Sequence, residues 1–150
     1  MPSTYLSLHY HLVFGTKNRE PTIAAEWRSR LHEYLGGTIA GLGGFPQGVG
    51  GVADHVHLAL RISRTTHVSE LVKQLKVNSS VWVKDNFSNS AKFAWQRGYG
   101  AFSVGPADLN SLIWYIDTQA SHHAKQNFQD EMRAFLKRYG IECEERYLWD

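Results

Sequence analysis

A single cysteine, Cys143, excludes a disulfide framework within this 150-residue chain and suits a reducing compartment, where an isolated thiol is expected to be inert. No apolar run approaches the roughly 20 residues needed to span a bilayer, and the segment Met1 to Tyr5 lacks the basic and apolar stretches of a secretory leader. The expectation is a cytoplasmic protein with no membrane attachment. Charge of one sign is also scarce: 16 lysines and arginines against 14 acidic residues leave +2, so contact with nucleic acid has to come from a local basic surface. There are only four prolines, and no repeat, linker or low-complexity segment divides the chain. One core can be buried at this length without disulfides or a structural metal, so residues 1–150 read as one domain.

What the sequence does contain is alternation. From Tyr5 to Phe14, Leu6, Leu8, Tyr10, Leu12 and Phe14 share one face while Ser7, His9, His11 and Val13 share the other, which predicts a first strand. Residues 24–42 carry Trp27, Leu31, Tyr34, Leu35, Thr38 and Leu42 at helical spacing, despite Gly36 and Gly37. Gly41 to Gly51 is turn-rich with a short second strand, and no Gly-Lys-Ser/Thr follows its glycines, which argues against a nucleotide-triphosphate loop. In the next strand His55, His57, Ala59 and Arg61 face one way and Val56, Leu58, Leu60 and Ile62 the other. The core takes the second set, which leaves the two histidines on the surface, where a metal and a substrate can meet.

After Ile62, Val68, Leu71, Val72, Leu75 and Trp82 mark a second amphipathic helix. Its lysines Lys73, Lys76 and Lys84 form either a solvated face or a surface that tracks phosphates. Trp95 to Val104 predicts a final strand, and Asp108 opens a long helix that runs to about Tyr139 and stops at Gly140, followed by an acidic tail over 140–150. The order strand, helix, strand, strand, helix, strand is that of an α+β, ferredoxin-like (split βαβ) antiparallel sheet over about 5–104. Helices cover one face, and the long helix of about 108–139 is added after it. The free face receives His55 and His57, with His9 and His11 as further candidates.

At about 100° per residue, Leu109, Ile113, Ile116, Ala120, Ala124, Phe128 and Phe135 line one side of the long helix. Tyr115 lies opposite, stacked with Ser111, Gln119, His122 and Gln126. A lone His-x-His is more often a pair of hydrogen-bonded structural histidines than a metal site, and this chain has a second one at His9 and His11. An exposed helical tyrosine usually only packs its ring. Their combination is what points to chemistry.

Four blocks then carry a resemblance: His11-Leu-Val-Phe-Gly-Thr-Lys-Asn-Arg-Glu-Pro21, Asp54-His-Val-His-Leu58, Trp95-Gln-Arg-Gly-Tyr-Gly-Ala-Phe-Ser-Val104, and Tyr115-Ile-Asp-Thr-Gln-Ala-Ser-His-His123 followed by Phe128 and Glu131. In this order, over nearly the whole chain, they resemble the single-tyrosine HUH transposases of the "IS two-hundred-like" insertion sequences, also called transposase A proteins. The family more often has Asn at Thr118 and Pro at Ala53. The resemblance implies that Tyr115 is the nucleophile and that His55, His57 and Gln119 ligate Mg²⁺ or Mn²⁺, with His122 or His123 assisting. It further implies a 5′-phosphotyrosine intermediate on single-stranded DNA with hairpin ends, and a prokaryotic protein located at the nucleoid when bound to DNA. A homodimer with active sites shared between subunits is implied as well. Lys17, Lys73, Lys76 and Arg97 are the candidates for phosphates, and Tyr99, Phe102, Trp95 and Trp82 for stacking on bases.

Two other hydrolase readings fail on the residues. A histidine-triad nucleotide hydrolase needs a third histidine where Ala59 stands, and a His-x-His-x-Asp-His metallo-hydrolase fails at Ala59 and Leu60. From a different class, a domesticated module that binds hairpins without cutting them stays open beside the transposase.

Overall fold

The computed structural model describes residues 3–119 and 127–144. Strands β1 (His9–Gly15), β2 (Phe45–Gly51), β3 (His55–Arg61) and β4 (Gly100–Val104) form one antiparallel sheet in the order β2-β3-β1-β4. Helices α1 (Arg28–Gly41) and α2 (Val68–Asn86) are the two crossovers, so the ferredoxin-like topology read from the element order is present. Leu12, Phe14, Val56, Leu58 and Leu60 on one face meet Leu31, Leu35 and Ile39 of α1 and Leu71, Val72 and Leu75 of α2 in the main core.

Several boundaries differ from the periodicity. The first strand begins at His9 rather than Tyr5, because its pairing ends where His9 meets Arg61 and Val104, and Tyr5 and Leu6 are left exposed. The first helix begins at Arg28 rather than Ala24, after Trp27 in non-helical geometry. The last strand begins at Gly100 rather than Trp95. The carbonyls of Gln96, Arg97 and Gly98 accept hydrogen bonds from Lys76 Nζ instead of joining the ladder, at 2.8, 3.0 and 2.7 Å.

Among the described residues the predicted long helix is not continuous: α3 (Leu109–Asp117) ends before Thr118, and α4 (Phe128–Arg138) starts anew at Asn127. Thr118 leaves helical geometry, with its hydroxyl on the Trp114 carbonyl at 2.9 Å. Asn127 is extended and its Oδ1 caps the Asp130 N–H at 2.8 Å, a helix start written in the sequence as Asn127-Phe-Gln-Asp130. Gly140 does end α4, at φ 66, where the Ile141 N–H returns to the Leu136 carbonyl.

The second face of the sheet is not free. Val13 and Phe102 pack there with Phe128, Met132 and Leu136 of α4. Helix α3 lies on β2, and its close approach explains Gly50, whereas Gly48 has room for ordinary van der Waals contact. A Cβ on Gly50 would stand 2.5 Å from the Ile116 carbonyl oxygen, and one on Gly48 3.6 Å from the Ile113 side chain. None of the described helices is long and apolar enough to cross a membrane.

Candidate active site

Alternation puts His9, His11, His55 and His57 on the face that α3 and α4 cover. His55 and His57 are therefore fully buried rather than on the surface, and His11 is 2 % exposed. The His55 ring stacks on Phe128, with centroids 4.2 Å apart, while His11 lies between Phe102 and Phe135.

A buried carboxylate joins the two helices to the histidines. Glu131 Oε1 lies 2.7 Å from His57 Nε2 and 3.4 Å from His55 Nε2, and Glu131 Oε2 accepts a short hydrogen bond from the Tyr115 hydroxyl. Behind the ligand atoms, His55 Nδ1 meets Asp54 Oδ1 at 2.7 Å and His57 Nδ1 meets His11 Nε2 at 2.8 Å. The outer partners orient both rings, so that each turns its Nε2 toward Glu131. One donor atom from each of His55, His57 and Glu131 falls within 4.8 Å of the others, a spacing that suits one metal ion.

Electrostatics divides the groups. Burial, the hydrogen bond to Glu131 and the charge of that carboxylate raise the Tyr115 phenol above its usual value, against a smaller opposing effect of the Gln119 side chain that bonds it. The nucleophile candidate is thus held protonated. Burial opposes charge on His55, but Asp54 and Glu131 outweigh it and raise its pKa. Burial and the neighbouring His57 push His11 down to about 3, so His11 is a neutral ring.

Gln119 is buried beside this group. Its Nε2 donates to the Tyr115 carbonyl at 3.1 Å, while its Oε1 has no hydrogen-bond partner among the described residues. A buried amide oxygen in that state costs about 1–3 kcal/mol and fits a cation. Two imidazoles, a carboxylate and an amide oxygen make a donor set suited to Mn²⁺, with oxygen enough for Mg²⁺. Tyr115, His55, His57 and Gln119 are therefore brought together within one chain, and Glu131 joins them. His122 and His123 lie outside the described residues.

The DNA-contact candidates separate. Lys73, Lys76, Arg97 and Tyr99 line one cavity of about 280 Å³ with Ser69, Val72 and Val77. Lys76 serves there as a strut for the 96–98 backbone. Lys17 is exposed in a turn after β1. Phe102 is 3 % exposed and stacks on Tyr139, so it is spent in the second core and has no face for a base. Trp82 stacks on Tyr34, and the Trp95 indole donates to Ser79, which commits both rings internally.

Two histidines, a carboxylate and a tyrosine thus converge on the helix-covered face of a ferredoxin-like sheet. The sequence model described as "Transposase IS200 like" matches residues 4–119, and the chain belongs to that family of transposases. Two solved structures share the fold. A protein of Deinococcus radiodurans R1 assigned as a transposase has a TM-score of 0.62 at 22% identity, over 79% of this chain and 96% of that one. A REP-associated tyrosine transposase bound to a REP hairpin has a TM-score of 0.59 at 11% identity, over 82% of this chain and 74% of that one. A search of the curated proteins finds no match to this chain.

Proposed function

We propose that this transposase cuts and rejoins single-stranded DNA with Tyr115 as nucleophile, at a metal centre held by His55, His57 and Gln119 with Glu131 as a further ligand. The reading rests above all on the Tyr115 hydroxyl sharing one buried carboxylate with His57. A bound Mg²⁺ or Mn²⁺ supplies positive charge that polarises the scissile phosphodiester and lowers the cost of a phenolate. Asp54 and His11 hold the imidazoles in place, and α3 and α4 keep bulk water from the reacting atoms.

The tyrosine oxygen forms a bond to phosphorus as the bond to the 3′ oxygen breaks. The 3′ end leaves as a hydroxyl, carrying the equivalent of the phenolic proton, and the 5′ end remains on Tyr115 as a phosphotyrosine. A 3′ hydroxyl from another strand then attacks that phosphorus and releases the tyrosine, so the number of phosphodiester bonds is conserved and no ATP is needed. Hairpin ends are the proposed substrate, supported by the REP hairpin in the related structure and by the cavity that gathers Lys73, Arg97 and Tyr99. A homodimer is proposed as well. Tyr115, His55, His57 and Glu131 lie together within one chain here, and exchange of α3 between subunits would let a Tyr115→Phe chain and a His57→Ala chain restore activity when mixed.

The test is a denaturation-resistant protein–DNA adduct with a hairpin-bearing single strand in Mn²⁺ or Mg²⁺, lost with chelator and in Tyr115→Phe. An adduct that survives Tyr115→Phe sinks the nucleophile assignment. No adduct across diverse hairpins favours a module that binds hairpins without cutting.

A further inference from the structure

The second His-x-His, at His9 and His11, supplies no ligand or reacting group to the chemistry above, yet His11 Nε2 stands 2.8 Å from His57 Nδ1 with the two rings stacked at 5.0 Å. We infer that His11 is a positioning residue that selects the ring tautomer of His57 and so makes His57 a metal ligand; this rests on the metal centre proposed above.

Hydrogen-bond capacity separates the two states of the His11–His57 pair. Glu131 accepts from the Tyr115 hydroxyl at Oε2, and its Oε1 lies 2.7 Å from His57 Nε2. A carboxylate has no proton to give, so His57 carries its proton on Nε2. The Nδ1 of a neutral His57 is then an acceptor, and His11 Nε2–H is the donor to it. Ligation at His57 Nε2 requires the opposite arrangement. The proton then sits on His57 Nδ1, which donates to His11 Nε2, and the proton of His11 sits on its own Nδ1. Each ring keeps one proton in both arrangements, so this pair releases none to solvent.

Only a partner able both to donate and to accept serves the two arrangements. Core filling alone would not require one. His11 lies in an aromatic layer with Phe102 and Phe135, where a phenylalanine would pack but offer no nitrogen. Orienting partners of this kind change metal affinity by about 10–100-fold when removed.

The test compares His11→Phe with His11→Gln, whose amide can donate or accept. Mn²⁺ binding by calorimetry is expected to weaken about 10–100-fold in His11→Phe and to recover most of that loss in His11→Gln. Nitrogen NMR of ¹⁵N-histidine-labelled wild-type protein is expected to show the His57 proton on Nε2 without metal and on Nδ1 with Mg²⁺. Unchanged affinity in His11→Phe, or a His57 tautomer that stays the same on metal binding, would overturn the inference alone. A wild-type protein that takes up no Mn²⁺ would overturn the metal centre and this inference with it.

Discussion

The Tyr115 hydroxyl donates to Oε2 of Glu131, whose other oxygen lies 2.7 Å from Nε2 of His57. The proposed nucleophile and the proposed metal site thus share one buried carboxylate. The arrangement favours the protonated phenol, and on the proposed reading a cation drawing on the same donors would couple the reactivity of Tyr115 to occupation of the site.

Replacing Glu131 with Gln tests that coupling. The change removes the charge that helps raise the phenol while keeping nearly the same volume, so the metal-free variant is expected to ionise Tyr115 at lower pH than the wild type. Ultraviolet titration of the phenolate, with Tyr115→Phe subtracted, measures this. The same variant is expected to bind Mn²⁺ more weakly, because a neutral amide replaces a carboxylate at the site. A phenol that titrates at the wild-type pH would show that Glu131 does not govern it.

Gly50→Ala tests how α3 is seated. The added Cβ would stand 2.5 Å from the Ile116 carbonyl oxygen and 2.9 Å from its side chain, so the helix carrying Tyr115 has to move. Overpacking of this kind costs about 1–3 kcal/mol. Adduct formation is expected to fall further than the stability loss explains, with urea melts measuring the stability. Gly37→Ala is the control, since a Cβ there meets nothing within 4 Å and helix propensity improves.

The sheet and both crossover helices were legible because each has one aliphatic face, and the period of that face sets strand or helix. The burial of His55 and His57 was not legible, since strand alternation assigns a face but does not say what a later helix lays over it. Glu131 stands in the fourth block of the resemblance, but its place among the ligands was hidden by a wrong assumption of helix continuity. On one unbroken helix it would stand about 24 Å along the axis from Tyr115 and about 160° around it, where no shared site is possible. Helix α3 ends at Thr118 and the Asn127 cap opens α4, which allows the two side chains to meet. That cap was the available signal, an Asn with an acidic residue three positions on.

Acid stability should carry the mark of the buried imidazoles. Burial, with His57 adding to it, pushes His11 from 6.5 to about 3, and burial beside Arg28 pushes His32 to about 4. Between those values and 6.5 the unfolded chain takes up protons that the folded chain refuses, so stability falls as pH drops through that window. His55 has the opposite sign. Its raised pKa gives a contribution fully present below 6.5 and lost as pH rises through its folded value. Urea denaturation of metal-free protein across this range is expected to show the acid loss, and His32→Leu is expected to flatten it. An unchanged acid slope in His32→Leu would count against a proton-linked cost at that position.

The cationic cavity makes the last distinction, between charge that meets DNA and charge that holds the fold. Lys76 spends its ammonium on three backbone carbonyls, and burial lowers its pKa to about 8, so its removal should first be felt as instability. Lys76→Met is expected to cost about 2 kcal/mol, on the scale of hydrogen bonds to a charged group. The salt dependence of its hairpin binding, measured where the variant is folded, should match the wild type. Lys73→Ala and Arg97→Ala should instead leave stability within about 0.5 kcal/mol, weaken binding, and each reduce the slope of log affinity against log salt by about 1. Tyr99→Leu is expected to weaken binding with the slope intact, because stacking carries no counterion release. If Lys73→Ala and Arg97→Ala both leave the slope unchanged, the phosphate path does not run along this cavity, and a reduced slope in Lys76→Met would show that the Lys76 ammonium meets phosphate as well as holding the fold.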